Sequence, residues 1–312
     1  MPAWSTWSSM AELAVLSGGT ARPPVRRANW VPYALLAPGL LWLAIFFVAP
    51  MVTLLSQSLQ EGSVEAGYTF TGNWQIYVDA LQKYWPQLVR SVGYAATATV
   101  AALVLSYPLA YYIAQKAGRW KNLMLVLVVA PFFTSFLIRT LAWRTILSDT
   151  GPVAEFARAT GLTDLLQALA LTNNDSLLSS KFAVIAGLTY NFLPFMILPL
   201  YASLDRLDRR LVEAAGDLYA TPWQGFRHVT WPLSLPGVVA GTLLTFIPAT
   251  GDFINSRLLG NTQTVMVGQV IDAQFLRVLD YPLAAALSFI LLVMILALVS
   301  TYVRRAGTEE LV

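Results

Sequence analysis

The 312-residue chain has no cysteine and a single histidine, His228. The first absence excludes disulfides, thiolate metal sites, iron–sulfur ligation and thiol catalysis. The second excludes a multi-histidine metal site. Charge is scarce too: 12% of residues are Asp, Glu, Lys or Arg, against about 25% in a soluble domain. So little charge cannot cover a water-soluble particle of this size, and the mean hydropathy of +0.59 agrees. What is abundant is apolar, at 56% of residues. These numbers point to a multi-span membrane protein.

A hydrocarbon core about 30 Å thick takes roughly 20 apolar residues as a helix. Six runs free of charge stand out: 28–60, 91–115, 122–138, 182–204, 228–251 and 281–303. The third is short, and extends through Arg139 to about Leu147. Backbone polar groups in lipid must be satisfied internally, so the runs predict helices. Their mixed Leu, Val, Ala, Phe and Gly content lacks the short alternating segments of a membrane β-barrel. The first run is too long for the apolar part of a signal peptide and reads as a true span from Tyr33 to about Ser58. The head, residues 1–29, is polar and Ser-rich, with a weak helical signal around Ser9–Leu16. Residues 30–305 form the membrane domain, and 306–312 a short tail.

Basic residues set the orientation. With the N-terminus inside, 12 of the 20 Lys and Arg fall in inner segments, and they cluster. The acids lean the other way, 10 of 17 lying outside. Six spans with both termini cytoplasmic is the expectation. Two outer segments are long. One, 59–88, holds Tyr68, Phe70, Trp74, Tyr77, Tyr84 and Trp85, which suit a membrane–water interface. The other contains Val153, Phe156 and Ala157 at i, i+3, i+4 spacing, predicting a short amphipathic helix with those three on its apolar face.

The inner segment between spans four and five, 205–233, reads as two short helices. Asp208 suits an N-cap, and Leu207, Leu211 and Leu218 make an apolar stripe. Thr221 and Gln224 fit a capping box with Pro222 at the first helical position; the second helix is expected to end before Pro232. Two such helices make a rigid knob, with Glu213 near its centre. A knob of this kind can pass force from a soluble partner into the bundle, or it can simply pack on its own chain.

Glu213-Ala214-Ala215, followed by Phe226, Val229, Pro232, Leu235, Pro236 and Gly237, resembles the EAA loop of permease subunits of ATP-binding-cassette (ABC) importers. Tyr219 stands where that family usually has glycine, which puts the turn in question. Residues 131–143 (PFFTSFLIRTLAW), 193–201 (LPFMILPLY), Gly251-Asp252-Phe253, Gly268-Gln269-Val270-Ile271 and Gln274-Phe275 resemble the spermidine/putrescine branch, and the first of its two permease subunits most. The resemblance covers about residues 30–305. It implies an all-α integral membrane protein of six transmembrane helices, with the type I importer permease (MetI-like) fold, in the cytoplasmic (inner) membrane of a prokaryote. It implies that Glu213, Ala214, Ala215, Asp217, Phe226 and Pro232 couple the chain to an ATPase. The implied partners are a second permease chain, two ATP-binding subunits, an extracytoplasmic solute-binding protein and membrane lipid, with no nucleic acid. No cofactor or metal is expected, ATP being bound by the partner subunits.

A polyamine is a flexible polycation, so its path needs carboxylates and aromatic faces. Asp252, 16 residues beyond Pro236 and so about 24 Å up a helix, is the acid best placed. An ion inside a membrane pairs or lines a pathway. Asp252 therefore either faces solute or pairs with Arg139 or Arg257. Trp143, Tyr190, Asn191 and Phe195 are further path candidates, each read more readily, taken alone, as ordinary helix packing. Asp272 and Asp280 are expected to be solvated or to meet the delivery protein. Pro248 and Gly251 suggest a kinked or broken helix near Asp252.

Two rival functions make different demands on such a chain. An ion-coupled secondary transporter would use several intramembrane acids and inverted repeats, whereas Asp252 is the one acid expected well inside a span. A membrane-embedded enzyme would need a nucleophile–base pair or a metal cluster, and one histidine without cysteine leaves little for either. The sequence has no G-x-x-x-x-G-K-[ST] loop to cradle phosphates, and no catalytic residue is assigned.

Overall fold

A computed structural model describes residues 30–172 and 176–306. The head expected at residues 1–29, with its weak helix at Ser9–Leu16, and the tail beyond 306 lie outside the described residues. Helix α1, Tyr33–Ser58, is the first span, with a π-helical stretch at Ala44–Val48. From Leu54 onward the chain forms one compact unit. It begins with an antiparallel hairpin, β1 (Gln60–Ser63) and β2 (Gly67–Phe70). Helix α2 then runs from Gln75 to Gln115. Only its second half was expected, because Asp79, Lys83 and Arg90 end the uncharged run while the backbone helix continues past them.

The third span is bent. A limb at Gly118–Phe133 contains α3 (Lys121–Val129), and α4 (Phe136–Ile146) leaves it at 95°. Pro131 sits in the last turn of the first limb, and Thr134 is extended. The described residues thus hold five helices long and apolar enough to cross a membrane, or six if the bent pair is one span. Two short helices follow, α5 (Pro152–Ala159) and α6 (Leu162–Ala168). The amphipathic face predicted here is partly wrong. Ala154, Ala157 and Leu166 are buried, while Phe156 points outward. Alanine, with no side chain beyond Cβ, lets α5 lie close on the core.

Helices α7 (Lys181–Asp205) and α2 form the centre, joined by the long helix Pro222–Thr250, here α9. Small residues allow the close approach: Ala95, Ala98, Ala102 and Ala110 of α2 are fully buried against Leu188, Met196, Ile197 and Leu200 of α7. Between α7 and α9 lies α8 (Arg209–Asp217). After α9 come α10 (Ile254–Leu259) and α11 (Val267–Ala273), then a π-turn at Gln274–Val278 and α12 (Tyr281–Ala306).

Two ends of the bundle can be distinguished. At one, Lys121 pairs with Asp205 at 2.6 Å, and the Gln115 amide donates to Leu204 O, so that the α2–α3 corner joins the α7–α8 corner. At the other, Ser91 of α2 accepts from Val267 N, Arg90 donates to Val265 O, and Asn261 donates to Ser179 O. That far end carries Asp252.

Candidate functional site

Chemistry is concentrated at both ends of α9. At the near end, Asp208 accepts from Arg210 N and caps α8. Glu213, Ala214 and Asp217 are exposed on α8, and the leucine stripe is not buried either: Leu211 is half exposed and Leu218 81% exposed. Leu207 and Leu211 line a cleft of about 700 Å³ between α7, α8 and α9, together with Arg206, Leu233 and Pro236. The turn questioned at Tyr219 keeps its geometry. Tyr219 N donates to Gly216 O and Ala220 N to Ala215 O, the paired bonds that close a helix on a left-handed residue. Tyr219 takes that conformation at φ 61°, which costs a non-glycine residue about 1–2 kcal/mol. Its ring is almost fully exposed.

Thr221 and Gln224 form the capping box, as expected. The second helix does not stop before Pro232, however. It runs through a π stretch, Phe226–Thr230, straight into the fifth span, so that Pro222–Thr250 is one helix of 29 residues. A widened π turn supplies the slack that the missing N–H of Pro232 requires. Phe226 anchors this segment in a ring cluster with Tyr107, Trp223 and Trp231 at 5.4–6.4 Å. The Tyr107 hydroxyl bonds Ser234 Oγ at 2.8 Å. The knob is therefore stiff, with its apolar and acidic side chains turned outward.

At the far end α9 stops at Thr250 and α10 starts at Ile254, which is the expected break. Asp252 occupies it, 8% exposed. Its carboxylate accepts the Asn255 N–H at 2.8 Å and so caps α10. Asn255 Oδ1 accepts from Asn191 Nδ2 at 3.0 Å, and Asn191 Nδ2 also reaches Thr140 Oγ1 at 3.2 Å. One buried polar network thus connects the break to α7 and α4. It unites Asp252 and Asn191, and includes Asn255 and Thr140, which the sequence reading missed. The Asp-x-x-Asn spacing, an N-cap followed by the residue whose N–H it binds, could have found Asn255.

The ion pairs considered for Asp252 do not form. Arg257 pairs with Asp272 at 3.2 Å. Arg139 is 9% exposed and lies against the rings of Phe132 and Phe136, at 5.7 and 5.6 Å. Its Nε and Nη1 have no hydrogen-bond partner among the described residues. Asp252 has no salt-bridge partner among the described residues. The other path candidates separate. Phe195 packs on Phe132 and Phe192, beside Arg139. Trp143 and Tyr190 stack at 5.4 Å and line a different, apolar cavity of about 330 Å³. Asp280 caps α12 through Leu283 N, and Asp272 is only 11% exposed in its side chain, so neither is freely solvated.

Residues 102–306 match the family described as binding-protein-dependent transport system inner membrane component. The chain is 36% identical over 266 residues to the spermidine/putrescine transport system permease protein PotB of Escherichia coli K12, covering 84% of this chain and 93% of that one. The counterpart in Salmonella typhimurium LT2 is 37% identical over 253 residues, covering 80% and 85%. The inner membrane ABC transporter permease protein YdcU of Escherichia coli K12 is 31% identical over 287 residues, covering 89% and 90%. Among solved structures, a bacterial ABC transporter involved in import of the acidic polysaccharide alginate shares the fold with a TM-score of 0.61 at 19% identity, over 89% of this chain and 96% of that one.

Proposed function

The chain belongs to the family of binding-protein-dependent transport system inner membrane components and is a permease subunit of an ABC importer; from that premise we propose that its cargo is a polyamine or a closely related small organic cation. The observation that carries the reading is the single helix Pro222–Thr250. One end belongs to the exposed knob around Glu213, and the other opens onto the buried carboxylate of Asp252. At 1.5 Å per residue this lever is about 43 Å long, enough to cross a membrane.

In this proposal the near end is cytoplasmic and the termini lie on that side. The knob docks on one of two ATP-binding subunits, which hold the nucleotide; this chain performs no chemical step. A second permease chain completes the pathway, and a solute-binding protein docks at the far end. When the ATP-bound motor closes, the knob moves with it and α9 carries the movement to the break at Gly251–Phe253. Asp252 supplies a negative charge that no cation among the described residues neutralises, in surroundings where burial makes an unpaired charge costly. An ammonium group of the solute offsets that charge as it passes.

The test is uptake of radiolabelled spermidine and putrescine by proteoliposomes holding the full complex, with and without enclosed ATP. Uptake that needs ATP supports the reading, and uptake that persists without it favours an ion-coupled carrier. Asp252→Asn isolates the charge, because asparagine also caps a helix. Expected is a loss of about tenfold in spermidine uptake at equal chain abundance, the effect of roughly 1.4 kcal/mol. Uptake equal to the unsubstituted chain would remove Asp252 from the path.

A further inference from the structure

Beside the break at Asp252 lies a cavity of about 280 Å³, lined in part by Gly251, Phe253, Gly268, Asp272, Phe275 and Leu276. The close backbone approach that builds its wall depends on Gly268, where a Cβ would collide with the carbonyl of Gly251. Three features give the cavity a chemical character. Asp272 contributes a carboxylate whose side chain is 11% exposed. Phe253 and Phe275 contribute partly exposed rings. The carboxyl end of α9 terminates there, adding the negative end of a helix dipole. Asp272 is held by Arg257 at 3.2 Å, and the Arg257 side chain is 43% exposed.

Resting on the polyamine reading above, we propose that Asp272, Phe253 and Phe275 form a second subsite for an alkylammonium group, in which Arg257 stands in for the cation until the solute displaces it. The incoming ammonium donates to the Asp272 carboxylate as the Arg257 guanidinium leaves for solvent, so net charge in the site is unchanged. An ion pair with one exposed partner is weakly held, which makes the exchange easy. A single carboxylate cannot furnish the six to eight oxygens that calcium takes, whereas two rings suit an organic cation. Pockets for whole drug-sized ligands run about 300–1,000 Å³, so this one takes an ammonium head and its adjoining methylenes while the rest of the solute extends toward Asp252. Phe275 meets Tyr281 edge to face at 5.1 Å and Tyr281 meets Tyr68 of the hairpin at a tilt at 5.6 Å, an aromatic row that continues from the cavity to the far-end surface.

The experiment measures radiolabelled spermidine uptake by the full complex in cells lacking their own polyamine importers, normalised to chain abundance in the membrane. Asp272→Asn is expected to lower the rate about fivefold or more, the effect of about one kilocalorie per mole, and Asp272→Glu to retain most of it. Arg257→Gln retains at least half the rate, and the double variant is as slow as Asp272→Asn alone. Phe275→Leu, which keeps the apolar volume, slows uptake about threefold, within the range of a cation–π contact. If Arg257→Gln is as damaging as Asp272→Asn and the double variant recovers, the pair is a structural clasp and the proposal is overturned. An unaltered rate for Asp272→Asn overturns it as well. If the unsubstituted complex imports no polyamine, the cargo reading fails and the subsite with it.

Discussion

Complexes carrying Glu213→Lys lose solute-stimulated ATP hydrolysis and solute uptake, while the chain still inserts and assembles into the membrane. Glu213 is exposed midway along α8 and has no ion-pair or hydrogen-bond partner among the described residues, so its own chain gains nothing visible from the carboxylate. Lysine forms helix about as well as glutamate, and the Asp208 cap and the paired closing bonds at Tyr219 are untouched. Any loss must therefore arise where the helix meets another protein. Reversing a charge inside a complementary interface places like charges together and costs several kcal/mol. At about 3 kcal/mol the stimulated rate falls more than a hundredfold. The measurement is ATPase activity of the purified complex with and without solute-loaded binding protein. Stimulation that survives the reversal removes Glu213 from the docking surface.

Why the sequence displays this knob so clearly is a matter of local rules. Caps are short-range: Asp208, Thr221 and Gln224 each bind a backbone N–H two or three residues away, so spacing alone reveals them. The runs between charges were legible for a similar reason, since length and composition decide what crosses a membrane. Pro232 misled because proline ends a helix in most settings. Here a π stretch at Phe226–Thr230 absorbs it, and Phe226 within that stretch is packed by Tyr107 of α2, a distant contact that the local sequence does not display.

Contacts between distant residues left less trace. Asn191 meets Asn255 across 64 positions and Thr140 across 51. Each is an uncharged polar residue with no periodicity to mark it. The pairing of Arg257 with Asp272 is likewise set by how α10 folds back on α11, so a residue expected in solvent lies half enclosed beside two phenylalanines. Asp252 was singled out because charge is so rare here. Its surroundings depend on packing and could not be read from its neighbours in sequence.

Gly237→Val disrupts the bundle itself, lowering the amount of assembled permease by tenfold or more, about 1.4 kcal/mol. Gly237, which follows Pro236 in the loop motif, lies inside α9 and is buried. Its role is close approach. A Cβ at Gly237 would stand 2.5 Å from Ser203 Cβ, 2.8 Å from Pro199 O and 3.2 Å from Leu200 Cα, all on α7. One turn on, a Cβ at Gly241 would meet Met196 Sδ at 2.8 Å. The two glycines form a groove in which the backbones of α7 and α9 pack, a device suited to lipid, where apolar burial gives helices little reason to associate. Overfilling a packed core costs about 1–3 kcal/mol, and the upper part of that range applies because backbone atoms cannot turn away as a side chain can. Immunoblots of membranes and size-exclusion profiles of the complex report the loss. Gly237→Ala combined with Ser203→Gly removes the tightest of the three contacts and recovers part of the yield relative to Gly237→Ala alone. Near-normal assembly and uptake with valine at 237 would mean that α7 and α9 do not touch there, and that the lever from knob to carboxylate slides free of the bundle it is meant to move.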